Sequence, residues 1–338
     1  MCQITSLDTL QSNWRHPLGV HGYRRIWKRF RFGGANWTWS TWGLYLDGDP
    51  PNYVEPTPIQ ATANWLIFLS GCVLSGLAFL IIEPFLISST GSFGPTILQS
   101  AHPAAAIFSM GLALLVVFVI SAGAGRLLKS PSKGLVVFGI GLGWLAWRLE
   151  GVEVIAFSGS MSTVAIEGLV WTLIVLLASY GIYLVSGPLA SVHPREATNV
   201  FDHWATSRAS AIFVASGLCA IPIVWLFAQS PARGQVVAAA AIGSIAAGMV
   251  GRLLAPHAQP VLLMMSPILA GTLVQWTMVF WLPQSELGTM FMQGDFPHVL
   301  LPVPIDWAAG SLMGVPWGIY FGNMFLQHDD GSQSPQTA

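Results

Sequence analysis

Charge is what this sequence has least of. Only 9% of its 338 residues are Asp, Glu, Lys or Arg, against 53% hydrophobic. A water-soluble domain carries about 25% charged residues, so the bulk of this chain does not face water. Cysteine is nearly missing. Cys2, Cys72 and Cys219 are the only three, two of them inside apolar runs. That set builds neither a disulfide framework nor a C-x-x-C metal or redox site, and reads as small buried hydrophobes. Lysine stops at Lys133, which leaves no late lysine for a retinal Schiff base. His16, His21, His102, His193, His203, His257, His298 and His328 all lie outside the interior of the apolar runs. Paired axial ligands for a buried haem are therefore absent. There is no H-E-x-x-H, no G-x-S-x-G and no P-loop. The run Ser158-Gly159-Ser160-Met161-Ser162 has no histidine in a span to make it a serine hydrolase. No catalytic residue, cofactor or metal is expected. The first 60 residues also lack the apolar core of a signal peptide, so the first span is expected to act as an uncleaved insertion signal.

What is present is a series of long apolar runs, with a mean hydropathy of +0.61 over the chain. A bilayer core of ~30 Å needs about 20 apolar residues per helix. The runs are far longer than the ~10-residue alternating strands of a barrel, so helices are the expected spans. Eight such segments fall at 63–86, 104–126, 134–149, 166–187, 209–229, 234–254, 260–282 and 306–326. The fold class is thus an all-α polytopic membrane protein with about eight transmembrane helices. The sixth segment is so rich in Ala and Gly that burial within the bundle is expected. Pro222, Pro267 and Pro316 lie inside spans and read either as kinks or as ordinary membrane-helix prolines.

The few charges are unevenly placed. Residues 1–60 form a basic, aromatic segment outside the bilayer, ending in a Pro-rich linker over 50–58. Its core holds Arg15, Arg24, Arg25, Trp27, Lys28, Arg29 and Arg31. Cations mixed with aromatics suit contact with the headgroups of anionic lipid. The same cations also suit a topogenic role, and both readings stand. No nucleic-acid partner is expected. With that segment inside, twelve of the fourteen Lys and Arg residues lie on the inner side, including Arg126, Lys129, Lys133, Arg195, Arg208 and Arg252. The outer side collects Glu83, Glu150, Glu153, Glu167, Glu286, Asp295 and Asp306, and only two cations, Arg148 and Arg233. The positive-inside rule then places both termini in the cytoplasm. The expected location is a bacterial inner membrane.

An internal repeat is legible. Ala122 to Pro131 reads AGAGRLLKSP and Ala247 to Pro256 reads AGMVGRLLAP. The fourth segment begins Ile166-Glu167 and later has Gly181-Ile182-Tyr183. The eighth begins Ile305-Asp306 and later has Gly318-Ile319-Tyr320. The matches occur in the same order, which predicts two tandem four-helix repeats in the same orientation, related by a pseudo-twofold axis along the membrane normal. The expected organisation is an N-terminal segment over 1–60, a first repeat over 61–190, a central inner loop over 191–208, a second repeat over 209–326 and a short disordered tail over 327–338.

Several residue sets are candidates for function. Glu167 and Asp306 form a candidate outer acidic pair, able to bind a cation or share a proton across the axis. The plain alternative is that each acid caps its helix. Glu83, Arg148, Glu150 and Glu153 form a candidate outer charged cluster. Arg126 and Arg252 close equivalent helices at the inner face, as a gate, an anionic-lipid site or ordinary snorkelling cations. Gly310, Gly314, Gly318 and Gly322 recur at every fourth position and predict a close, right-handed helix crossing. The leading functional reading is a small-solute or ion transporter, or a channel-like protein, with its path between the halves. A membrane scaffold, anchor or subunit bound to a protein partner is the alternative. A lipid-modifying enzyme using His193, Glu196, Asp202 and His203 is the third.

Overall fold

A computed structural model describes residues 57–88, 91, 93–94, 96–158, 160–189, 207–256 and 259–330. The basic-aromatic stretch with Arg24, Arg25, Trp27, Lys28, Arg29 and Arg31, and the loop bearing His193, Glu196, Asp202 and His203, lie outside the described residues.

Every long element among the described residues is a helix. In chain order they are α1 (Pro58–Leu80), α2 (Pro103–Leu127), α3 (Pro131–Arg148), α4 (Val152–Ser158), α5 (Met161–Ser186), α6 (Ser207–Ser216), α7 (Ala220–Phe227), α8 (Arg233–Leu254), α9 (Val261–Trp281), α10 (Gln284–Gln293) and α11 (Pro304–Asp330). Short 3-10 turns occupy Glu83–Leu86, Ile97–Gln99, Gly217–Cys219 and His298–Leu300. Six stretches are long and apolar enough to cross a membrane: α1, α2, α5, the α6–α7 stretch Arg208–Phe227, α8 and α9. The chain is a multi-pass integral membrane protein. Its outward faces fit lipid: Leu66, Leu69, Val73 and Leu77 on α1, and Phe108, Leu112, Leu115 and Val119 on α2, are exposed at helical spacing.

The other two of the eight expected segments, α3 and α11, are helices but fall outside that apolar set. The physical reason is their position. Both are largely enclosed by other helices, so protein rather than lipid surrounds them and apolarity is not required. Two short helices, α4 and α10, stand where the sequence reads as loop, and they pack on each other. The Ala- and Gly-rich α8 is covered on one face only, from Val236 to Arg252, and Ile242 on its other face is exposed.

Local chemistry sets the helix ends. Thr57 and Gln60 form a reciprocal capping box at the start of α1. Between α2 and α3 the chain reverses in three residues. The Ser130 N–H donates to the Gly125 carbonyl (2.9 Å) and the Lys129 N–H to the Arg126 carbonyl (3.2 Å). This is the Schellman pattern, with Lys129 left-handed at φ 49° where glycine is usual. Ser130 then caps α3 by accepting from the Lys133 N–H. Pro222 has no N–H for the Leu218 carbonyl, and the helix tightens to a 3-10 turn just before it. Pro267 stays inside α9, and the Leu263 carbonyl it leaves without a backbone donor accepts instead from the Ser266 hydroxyl at 2.9 Å.

Packing centres on α3, α5, α9 and α11. The α5 helix lies along α9, α11 lies along α3, and α5 also touches α11. Outside this group, α1 and α2 pack on α3, while α6 packs on α9 and α8 on α11. The closest crossing is α8 with α11. A methyl group built on Gly314 or Gly318 would strike the carbonyl of Ala241 or Ile245 on α8, and one on Gly310 would strike the Ala240 backbone at 2.7 Å. At Gly322 the nearest atoms it would meet are on the Arg252 side chain at 2.9 Å, with the Met249 carbonyl at 3.3 Å. The glycine stripe therefore brings two backbones together, as small-residue stripes do in membranes, where dispersion rather than water drives association. No such stripe exists on α5, and its contact with α2 is correspondingly looser.

Candidate functional site

Among the described residues, the buried charged groups lie toward the two ends of the helix bundle. At one end, Asp306 lies in the first turn of α11 and has no exposed surface. Its Oδ2 accepts from the Val303 N–H at 2.9 Å, which closes the turn onto its own preceding backbone. Both carboxylate oxygens also accept from Arg233, the first residue of α8, at 2.9 and 2.6 Å. The rest of that guanidinium reaches α3, where Nε and Nη2 donate to the Ala146 carbonyl at 3.0 and 2.7 Å. One arginine thus ties together the ends of three helices. A planar fork with a bidentate carboxylate and a spare carbonyl is the geometry in which a buried ion pair is best satisfied.

Glu167 has a different setting. Because α5 starts at Met161, Glu167 lies beyond its first turn, and no acid occupies that first turn. A helix-capping role is thereby removed for Glu167 and kept for Asp306. Glu167 is 5% exposed. Its Oε1 accepts from the Ile97 N–H (3.3 Å) and from the Trp171 indole N–H (3.2 Å). Its Oε2 has no hydrogen-bond partner among the described residues. The Thr96 hydroxyl and Leu98 N–H lie beside the carboxylate, without closing a hydrogen bond to it. No ion pair or hydrogen bond joins Glu167 to Asp306 among the described residues. Each acid instead engages the start of a neighbouring helix: Asp306 the first residue of α8, Glu167 the turn that precedes α2.

The charged cluster of Glu83, Arg148, Glu150 and Glu153 divides. Arg148 and Glu83 form a bidentate pair, with both N···O distances 3.0 Å, and the guanidinium stands 5.7 Å over the Phe93 ring. Glu153 accepts from the Gly151 N–H at 3.1 Å. Glu150 is half-buried and joins neither pair. The feature that sequence reasoning missed is the partnership of Arg233. The signal was available: Arg148 and Arg233 are the two cations that break the charge asymmetry, and each is held by an acid.

At the opposite end, Arg126 and Arg252 occupy matching places with unequal burial. The exposed Arg126 donates from Nη1 to the Val185 carbonyl at 3.4 Å. Arg252 is 2% exposed and donates from Nε to Asn323 Oδ1 at 2.6 Å. If Tyr183 and Tyr320 are aligned, the two acceptors fall within one residue of each other. The Leu189 N–H, after α5, donates to Gln259, before α9, at 3.2 Å.

Two cavities lie away from these groups. One, of about 350 Å³, is an apolar groove between α6 and α9, lined by Ala211, Val214, Ala215 and Leu218 facing Leu269 and Leu273. The other, of about 570 Å³, lies between α4 and α10 around Phe157, Gln284, Gly288 and Met292. Among the described residues no group of three or more His, Cys, Asp or Glu is placed to hold a metal ion. No protein-family model, no curated protein and no solved structure matches the chain.

Proposed function

We propose that the chain is a small-solute or ion transporter made of two four-helix halves, the first running from α1 to α5 and the second from α6 to α11. The observation that carries this reading is the distribution of polar bonds between the halves, which gather at their two ends. At the Asp306 end, Arg233 reaches the Ala146 carbonyl. There too, Gln284 accepts from the Met161 N–H at 3.0 Å and donates to the Ile155 carbonyl at 3.1 Å. At the Arg252 end, Leu189 meets Gln259. Between these latches the halves touch mostly through apolar and small residues, with Gly139 and Gly143 of α3 set against Met313 of α11, while Thr272 and Gln275 of α9 close on Gly168 of α5. Latches at both ends, with a seam of mostly small and apolar side chains between them, suit two bodies that rock against each other, as parallel-repeat transporters do.

The repeat itself is supported by matched contacts: α5 on α9 answers α11 on α3, and the short helices α4 and α10 meet between the halves. In this reading α3 and α11 complete eight spans. Both termini are cytoplasmic, the Asp306 end faces out, and the N-terminal cations meet anionic lipid in a bacterial inner membrane. The test is reconstitution of the full chain in proteoliposomes, with flux read for protons, sodium, potassium and a panel of small neutral solutes. Flux of at least one species above empty vesicles is expected, and flux of none would remove the reading. A second reading, a subunit of a larger membrane complex, is favoured by the apolar groove between α6 and α9. Its alanines leave room for a helix of a membrane partner. A stoichiometric partner that co-purifies and is lost on widening Ala211 and Ala215 to leucine would support it.

A further inference from the structure

Glu167 is a carboxylate inside an apolar span, more than one turn from the helix start, with one oxygen lacking any partner among the described residues. No ion pair holds Glu167 among the described residues. Packed against α5 are α2, α3, α9 and α11. Val261–Trp281 contains no titratable side chain. On α11, Asp306 is held by Arg233, and Tyr320 lies toward the opposite end. On α2, His102 is exposed at the start, and Arg126 closes the far end on Val185. On α3, Arg148 is held by Glu83, and Lys133 lies at the far end. The contrast with Asp306 is informative, since the matching acid of the other half carries a full guanidinium. An ionised carboxylate without a cation is costly inside a membrane, whereas a protonated one is neutral and gains a donor.

We infer that Glu167 is a proton-binding site, with Oε2 taking up a proton from water and returning it to water. The Thr96 hydroxyl, 3% exposed and itself without a partner among the described residues, is the group placed to receive the new O–H. Oε1 stays fixed by Ile97 and Trp171 in both states. Use of this proton to drive movement of the halves rests on the transport reading above. The protonation does not.

The experiment is an infrared titration of the full-length protein in lipid nanodiscs, following the C=O stretch of protonated carboxylic acids in H2O and D2O. The expected result is a band present at neutral pH that shifts in D2O, is lost at high pH and is missing from Glu167→Gln. Thr96→Val, which keeps the carboxyl, is expected to retain the band and move its frequency. Both variants are checked for an unchanged melting temperature. A spectrum of Glu167→Gln identical to wild type overturns the inference, as does a Glu167 carboxylate that stays ionised across the titration. If the band titrates and reconstituted vesicles carry no flux, the transport reading fails while the proton site stands.

Discussion

Arg233 grips Asp306 through two N–H···O bonds at 2.9 and 2.6 Å, with the acid fully buried and the arginine side chain 12% exposed. Arg148 grips Glu83 with similar geometry, but here the arginine side chain is 48% and the acid 14% exposed. Burial rather than bond length separates what the two pairs contribute. Removing one member of a buried pair strands the other and costs about 3–5 kcal/mol. An exposed pair is worth about 0.2–1 kcal/mol. Asp306→Asn is therefore expected to lower the thermal midpoint in detergent sharply, and Glu83→Gln barely to change it. The double variant Arg233→Met with Asp306→Leu should recover most of the loss, because no charge is left stranded. Equal effects of Asp306→Asn and Glu83→Gln would contradict the assignment.

The glycine stripe yields an ordering. Gly314→Ala and Gly318→Ala press a methyl onto backbone carbonyls of α8, which cannot move aside, at an expected cost of about 1–3 kcal/mol. Gly322→Ala meets mainly the Arg252 side chain and should cost less. Gly111→Ala and Gly123→Ala open onto free space and should be neutral or stabilising by about 0.5–1 kcal/mol through helix propensity. Melting temperatures of the five variants check the order.

Lys129 holds a left-handed conformation at φ 49°. An L-residue pays roughly 1–2 kcal/mol there, and glycine does not. Lys129→Gly is expected to stabilise the α2–α3 turn by about 1 kcal/mol despite the loss of a cation. A fall in stability would mean that the side chain contributes more than the backbone strain costs.

The two arginines of the repeated Gly-Arg-Leu-Leu motif should behave unequally. Arg126 is exposed and reaches a single carbonyl at 3.4 Å. Arg252 is enclosed and bonded to Asn323. Arg126→Met is expected to be tolerated to within about 1 kcal/mol. Asn323→Leu, which removes the Oδ1 that accepts from the buried Arg252 Nε, should cost about 1–3 kcal/mol. Yield and melting temperature in detergent distinguish the two.

Helix positions were legible because apolarity and length carry them: all eight apolar segments are helical, most with ends within a few residues of those expected. Which helices lie inside the bundle was not legible. The pattern of α3 and α11 reflects enclosure by protein, and a count of apolar residues does not separate that from a lipid face. The site was half legible. Asp306 stood out beside the glycines, but its partner Arg233 lies 73 residues earlier in the chain, and only the broken charge asymmetry hinted at it. Glu167 looked like a helix cap because the apolar run begins beside it. The helix itself starts at Met161, through a polar Ser-Met-Ser-Thr turn that hydropathy leaves out.

Transport by the proposed route requires the two halves to move against each other. Pulsed spin–spin distance measurement in nanodiscs tests it directly, using a chain with Cys2, Cys72 and Cys219 replaced. One label pair bridges the Asp306 end, at Trp147 and Phe280. The other bridges the opposite end, at Leu184 and Leu254. All four side chains are exposed. Two distance populations are expected at each end, with lengthening at one end matched by shortening at the other as pH changes or when Glu167→Gln is introduced. A single narrow population at both ends, unchanged by either, would contradict it.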